Sequence, residues 1–201
     1  MRRIRRCGVN AVLVDCDDAR DALELWRRLH AEPPDGVVEA VPGARTVLVV
    51  GRTDGPLLAA LVRLPGLALD PIAEQPEVVI PVRYDGVDLE AVAGATGLTT
   101  AEVATRHGSA GYAVAFGGFV PGFAYLTGLD PALSVPRHDT PRPRVPRGSV
   151  AIAGVYTAVY PMETPGGWRI IGTTQLSLFD PGREPAALLQ PGGRVRFERI
   201  G

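Results

Sequence analysis

Beyond Gly108 the chain changes texture. Short apolar runs at 112–116, 150–153, 168–171, 176–179 and 194–200 are separated by glycine and proline turns. Several short strands with frequent turn signals predict a closed or sandwiched β-structure in this region. Aromatic residues are only 6% of the chain, so Val, Leu, Ala and Ile must fill most of the core. With 46% hydrophobic and 21% charged residues the chain is not disordered, and 201 residues suffice for one domain or two small ones.

The earlier part alternates strands and helices. Residues 10–15 have strand character, and Asp17 or Asp18 can cap a following helix in which Ala22, Leu25, Trp26 and Leu29 recur at helical spacing. Pro33-Pro34-Asp35-Gly36 breaks the chain. Strands at 37–41 and 45–50 read as a hairpin about Pro42-Gly43. Gly55-Pro56 opens a second helix carrying Leu57, Leu58, Leu61 and Leu64, Pro65-Gly66 ends it, and 78–82 is the last strand of this part. The order β-α-β-β-α-β is the ferredoxin-like arrangement, with two helices on one face of a four-stranded antiparallel sheet. It predicts an α+β protein with a ferredoxin-like domain over 1–83 and a second domain over 84–201. Helices are predicted at 88–95 and from the capping-box spacing Thr99-Thr100-Ala101-Glu102 to about His107.

Composition removes whole chemistries. All 21 basic residues are Arg, so a phosphate-binding loop ending in Lys, a Schiff-base lysine and a biotinyl-lysine site are impossible. Cys7 and Cys16 fit neither a disulfide framework nor a zinc site, no metal site is expected, and a reducing cytosol suits both thiols. A net charge of −1 gives no pull toward nucleic acid or membrane. Apolar runs such as 47–50 are far below the ~18–20 residues of a membrane helix. Arg2-Arg3-Ile4-Arg5-Arg6 is followed by a stretch broken by Asn10, Asp15, Asp17 and Asp18, which does not read as a signal peptide.

Special backbone residues and arginines concentrate between 107 and 175. The loop Gly117-Gly118-Phe119-Val120-Pro121-Gly122-Phe123-Ala124-Tyr125-Leu126 reads either as a pocket wall built from Phe119, Pro121, Phe123 and Tyr125, or as a wide turn pinned by buried aromatics. Arg137, Arg142, Arg144 and Arg147 lie in a proline-stiffened segment with His138. They suit a phosphate, a carboxylate or an acidic partner surface, or they form a solvated basic loop. His107 closes a predicted helix and is the candidate acid or base; the competing reading is a helix-terminal histidine bonded to the last carbonyls. Thr164-Pro165-Gly166-Gly167-Trp168 is a turn leading into a strand with a packed Trp168.

Taken together these segments resemble the KipI/PxpB family, also known as allophanate hydrolase subunit 1 or as the C/D portion of the carboxyltransferase domain. The resemblance rests on Phe116 to Leu126 with Gly128-Leu129-Asp130, Pro141-Arg142-Pro143-Arg144-Val145-Pro146-Arg147-Gly148-Ser149, Tyr160-Pro161, Pro165-Gly166-Gly167-Trp168, Ile171-Gly172-Thr173-Thr174 and Leu188-Leu189-Gln190-Pro191-Gly192. It implies a cyclophilin-like β-barrel as the second domain, a cytoplasmic location, and a larger homologous partner subunit together with a third protein. It also implies an ATP-dependent 5-oxoprolinase reaction that opens 5-oxo-L-proline to L-glutamate, with Mg-bound ATP held in part by the partner. On that reading Tyr125, Arg137, Arg142, Arg144 and Arg147 are candidate substrate or phosphate contacts, His107 is the candidate base, and Phe119, Pro121, Phe123, Tyr156 and Trp168 line the pocket. Two alternatives are a carboxyltransferase subunit of the allophanate hydrolase or urea amidolyase type and a regulatory inhibitor of a sensor histidine kinase. Four positions depart from the family pattern: Tyr156 replaces a Gln, Thr173 an Arg, Gln175 a Pro and Ala124 a Pro.

Overall fold

The computed structural model describes residues 2–52, 55, 57, 61 and 76–201. It divides into two compact units, Met1–Glu74 and Gln75–Gly201.

In the first unit β1 (Ile4–Arg6), β2 (Ala11–Asp15), β3 (Val37–Pro42) and β4 (Thr46–Gly51) form an antiparallel sheet in the order β1-β2-β4-β3. Period-two alternation sends Val12, Val14, Val47 and Val49 into the core. Helix α1 (Ala19–Ala31) lays Ala22, Leu25 and Leu29 on them. Asp18 caps α1, its carboxylate accepting from the Asp21 N–H at 2.8 Å. Among the later residues Gly55, Leu57 and Leu61 are helical, with Leu57 and Leu61 buried. The rest of the expected second helix, with Leu58, Leu64 and Pro65-Gly66, lies outside the described residues.

The sheet differs from the ferredoxin-like expectation in two ways. Strand β1 has no counterpart in that expectation, because its Arg-rich sequence carries no apolar alternation; it is held by pairing with β2 and by an Arg5–Asp15 ion pair. Strand β5 (Val78–Val82), expected to complete this sheet, instead runs parallel to β13 (Arg194–Arg199) in the second unit. An apolar run announces a strand but not its partner. Its Pro81 has no N–H to give a neighbour and fits a strand with only one pairing partner in the sheet order.

The second unit opens with β5, then α2 (Leu89–Thr96) and α3 (Thr100–Ser109). The Thr99–Glu102 capping box is formed as the spacing predicts. Strands β6 (Gly111–Gly117), β7 (Ala124–Thr127), β9 (Ser149–Ala153), β10 (Tyr156–Val159) and β12 (Arg169–Thr173) join β13 and β5 in the order β12-β9-β10-β7-β6-β13-β5. A bridge between Arg83 and Thr173 ties the two ends of this order together, so the sheet is nearly closed. Inside it pack Ile80, Val114, Leu126, Ile152, Ile171 and Phe197. A two-stranded ribbon of β8 (Arg142–Val145) and β11 (Thr164–Gly166) stands apart from it. The expected strand at 176–179 is reduced to one bridge, Phe179 with Ala187. Among the described residues no helix is long and apolar enough to cross a membrane.

Candidate functional site

The site begins with a glycine. A Cβ on Gly86 would lie 2.3 Å from the Ile170 carbonyl oxygen and 2.5 Å from the Gly172 nitrogen, so only glycine lets this segment lie flat on β12. The close approach lets the Gly86 N–H donate to Ile171 O at 3.2 Å and the Asp88 N–H to Ile170 O at 2.9 Å. It also drives the Asp88 side chain inward, where only 6% of it remains exposed.

There the Asp88 carboxylate accepts from the Ile170 N–H at 2.8 Å, from Arg142 Nη2 at 2.6 Å and from His138 Nε2 at 3.2 Å. Arg169 Nη1 lies 3.0 Å from His138 Nδ1. A guanidinium only donates, so Nδ1 is the acceptor and the proton sits on Nε2, facing Asp88. Burial alone would raise the Asp88 pKa, but hydrogen bonds from Arg142, the Ile170 N–H and His138 outweigh it and hold the carboxyl below its ordinary value. This array fixes the first part of the arginine-rich segment, at His138 and Arg142, to the start of α2 and to β12. Sequence reading missed Asp88, which looks like an ordinary helix N-cap. Its side chain makes no capping bond, and nothing local in the sequence signals that.

Beside the array lies an aromatic cleft of about 290 Å³, lined by Phe119, Phe123, Tyr125, Tyr160, Trp168 and Arg137, with Pro141 and the 165–167 turn. Phe123 sits edge-on to Phe119, Tyr125, Tyr160 and Trp168, with ring centroids 5.1–5.7 Å apart, in the geometry aromatic quadrupoles favour. Tyr160 packs beneath Gly166, where a Cβ would meet its hydroxyl at 2.3 Å, and that hydroxyl faces the backbone N–H of Trp168. Burial raises the Tyr125 and Tyr160 pKa values, so both stay neutral phenols. Phe119 holds a φ of 72°, a strained conformation for a bulky residue, and 60% of it is exposed at the lip.

The structure thus brings together Phe119, Phe123, Tyr125, Arg137 and Trp168 from the expected set, and adds Tyr160. Pro121 lines a second, more open cavity of about 460 Å³ with Ala187, Leu189 and Gln190. Tyr156 packs edge-on against Tyr125 from behind, at 5.8 Å, and lines neither cavity. Arg142 is taken by Asp88, and Arg144 pairs with Glu163 at 3.1 Å. Arg147 is exposed and lines neither cavity. Of the other departures, Thr173 donates its hydroxyl to Asp85 at 2.8 Å, and Ala124 is buried opposite Gly117.

His107 requires a correction. It is wholly buried, Nδ1 2.9 Å from the Tyr84 hydroxyl and Nε2 2.9 Å from Thr157 Oγ1, with its ring on Phe197. Desolvation pushes its pKa down to about 3, so it is a neutral core histidine and no base at the cleft. Its place in the last turn of α3, on the face packed against β13, buries it. Among the described residues no three His, Cys, Asp or Glu side chains converge to hold a metal ion.

A family model described as "Carboxyltransferase domain, subdomain C and D" matches residues 2–189. The chain is 47% identical over 183 residues to the B subunit of 5-oxoprolinase from Escherichia coli O157:H7, covering 86% of this chain and 83% of that one. Among solved structures it is similar to TTHA0988, with a TM-score of 0.81 at 37% identity, over 99% of this chain but only 40% of that one. The urea amidolyase of K. lactis shares the fold, with a TM-score of 0.75 at 20% identity over 99% of this chain and 15% of that one.

Proposed function

The chain belongs to the family of the carboxyltransferase domain, subdomains C and D, and from that premise we propose that it is the B subunit of an ATP-dependent 5-oxoprolinase, the hydrolase that opens 5-oxo-L-proline to L-glutamate. The observation that carries this reading is the 47% identity to the B subunit of a 5-oxoprolinase across 83% of that relative's length. A likeness of 20% identity to a urea amidolyase supports the shared fold alone. The nearly closed sheet of the second unit is read as a cyclophilin-like barrel. A subunit needs partners, and the reading assigns the chain to a complex with a larger homologous subunit and a third protein. A cytoplasmic location, where ATP is available, belongs to the same proposal.

The aromatic cleft is the proposed substrate site, with Tyr125 and Arg137 as its polar contacts. Its rings exclude water from one side of a small ligand, and its neutral phenols offer O–H donors to a carbonyl. The same cleft does not fit a nucleoside triphosphate. Phosphoryl chemistry calls for several cations around the phosphates, and the cleft lining contributes a single guanidinium. ATP is therefore assigned to the partner side of the complex.

The test is phosphate release from ATP by this chain co-purified with its large partner and the third protein. Release that depends on 5-oxoproline is the expected result. A stable, folded complex that releases no phosphate with 5-oxoproline refutes the reading.

A further inference from the structure

We propose that the aromatic cleft is a site for a small, flat cyclic amide bearing one carboxylate, with Arg137 as the carboxylate anchor. This rests on the 5-oxoprolinase reading and deepens it, because it names which group of the substrate this subunit holds.

Arg137 stands out among the neighbouring arginines by the donors it has left over. Arg137, Arg142 and Arg144 come from the same segment, and Arg169 follows the cleft's Trp168. Arg142 is committed to Asp88, Arg169 to His138 and the Pro136 carbonyl, and Arg144 to Glu163. Arg137 lines the cleft, and no hydrogen bond or ion pair with another described residue engages its guanidinium. A free guanidinium presents a fork of donors that matches a carboxylate in two parallel hydrogen bonds. One such fork neutralises one carboxylate and leaves a phosphate chain mostly uncompensated.

The walls set the rest of the ligand. Tyr125 and Trp168 stand 5.6 Å apart at 68°, with Phe123 edge-on to both. Such walls take a small planar ring and give little to a flexible polar chain. At about 290 Å³ the cleft falls at the small end of ligand sites, which run from roughly 300 to 1,000 Å³. The Tyr125 hydroxyl, kept protonated by burial, can donate to the amide carbonyl.

The test uses two readouts. In the assembled complex, R137Q should raise the KM for 5-oxoproline about 10- to 100-fold, the scale of a charge-assisted pair, and leave the KM for ATP unchanged. In the full chain carrying W26F, so that Trp168 is the remaining tryptophan, 5-oxoproline should give a saturable change in emission. Pyrrolidin-2-one, which lacks the carboxylate, should bind at least about tenfold more weakly, and R137Q should erase that difference. Inorganic phosphate should neither change the emission nor compete. The proposal is overturned if R137Q leaves the 5-oxoproline KM intact in a working complex, if phosphate competes, or if Trp168 responds to no cyclic amide. If instead the complex shows no 5-oxoproline-dependent turnover while Trp168 still reports carboxylate-selective binding, the oxoprolinase reading fails and the site assignment stands.

Discussion

Replacing Asp88 by Asn tests the array that holds the cleft together. The carboxylate has three donors aimed at it: Arg142 Nη2 at 2.6 Å, the Ile170 N–H at 2.8 Å and His138 Nε2 at 3.2 Å. Arg142 and His138 share Oδ1 and the Ile170 N–H takes Oδ2, so an Asn with its oxygen at the Oδ1 position keeps the first two and turns its N–H₂ toward the Ile170 N–H, and the flipped amide keeps only Ile170. The substitution also leaves the Arg142 charge without its partner. Removing one member of a buried pair costs about 3–5 kcal/mol. The Arg142 side chain is 30% exposed, so water recovers part of that, and we expect a loss of about 2–3 kcal/mol. For a unit of this size that is roughly a 10 °C fall in melting temperature. The assay is urea and thermal unfolding in a W26F background, in which Trp168, beside the array, reports the second unit. A double-mutant cycle with R142Q should return a coupling of at least about 1 kcal/mol, since the two side chains are in direct contact. A D88N variant within about 0.5 kcal/mol of the parent, or a cycle with no coupling, refutes the reasoning. Because the native pKa of Asp88 lies below its ordinary 3.8, its contribution is present above that pH and is lost as pH falls through the native value.

Other outcomes follow from the same geometry. With its pKa pushed from 6.5 to about 3, His107 makes the unfolded chain the better proton binder across that window. Stability should therefore fall on acidification, by up to about 1.4 kcal/mol per pH unit, and urea midpoints of H107Q measured from pH 7 to 4 should lack that component. A Cβ at Gly86 meets only backbone atoms at 2.3–2.5 Å, so G86A should cost several times what any surface change does; at the exposed Gly94 within α2 nothing lies within 4 Å, and G94A should add about 0.5–1 kcal/mol. Chemical unfolding of both variants checks the pair, and equal effects would count against the close-approach argument. Cys7 is exposed, whereas burial first, and then Asp21, raise the Cys16 thiol to about 11. A thiol reagent at pH 8 should label Cys7 at once and Cys16 only on unfolding.

The sequence was most legible where period and punctuation carry the information. Helix α1 was visible because Ala22, Leu25 and Leu29 face one side at helical spacing and Asp18 can cap it, and α3 because Thr99 and Glu102 form a capping box. The aromatic wall was visible because Phe119, Phe123 and Tyr125 lie within one short loop. Long-range pairing was not legible. Nothing in the residues 78–82 names β13 as partner, with 115 residues between Val78 and Arg194 and a parallel register that no hairpin signals. His107 misled for a related reason: an amphipathic helix end shows that a histidine is near a surface of the helix, but not whether the sheet covers that surface.

The arginine-rich segment shows most directly why composition overstates a binding site. Read as a string, Arg137, Arg142, Arg144 and Arg147 look like one basic patch. In the fold, β8 turns Arg142 inward to Asp88, and the β8–β11 ribbon brings Arg144 near Glu163. Arg142 is thus committed to holding the segment in place, by a contact with a residue 54 positions away in the chain, while Arg144 pairs at the surface with a residue 19 positions away. Only Arg137 is left facing the aromatic cleft without a partner among the described residues. A cluster of this kind offers one guanidinium fork to one anionic group in one orientation rather than to polyanions in many, because most donors of the arginines that build the scaffold already point at protein acceptors.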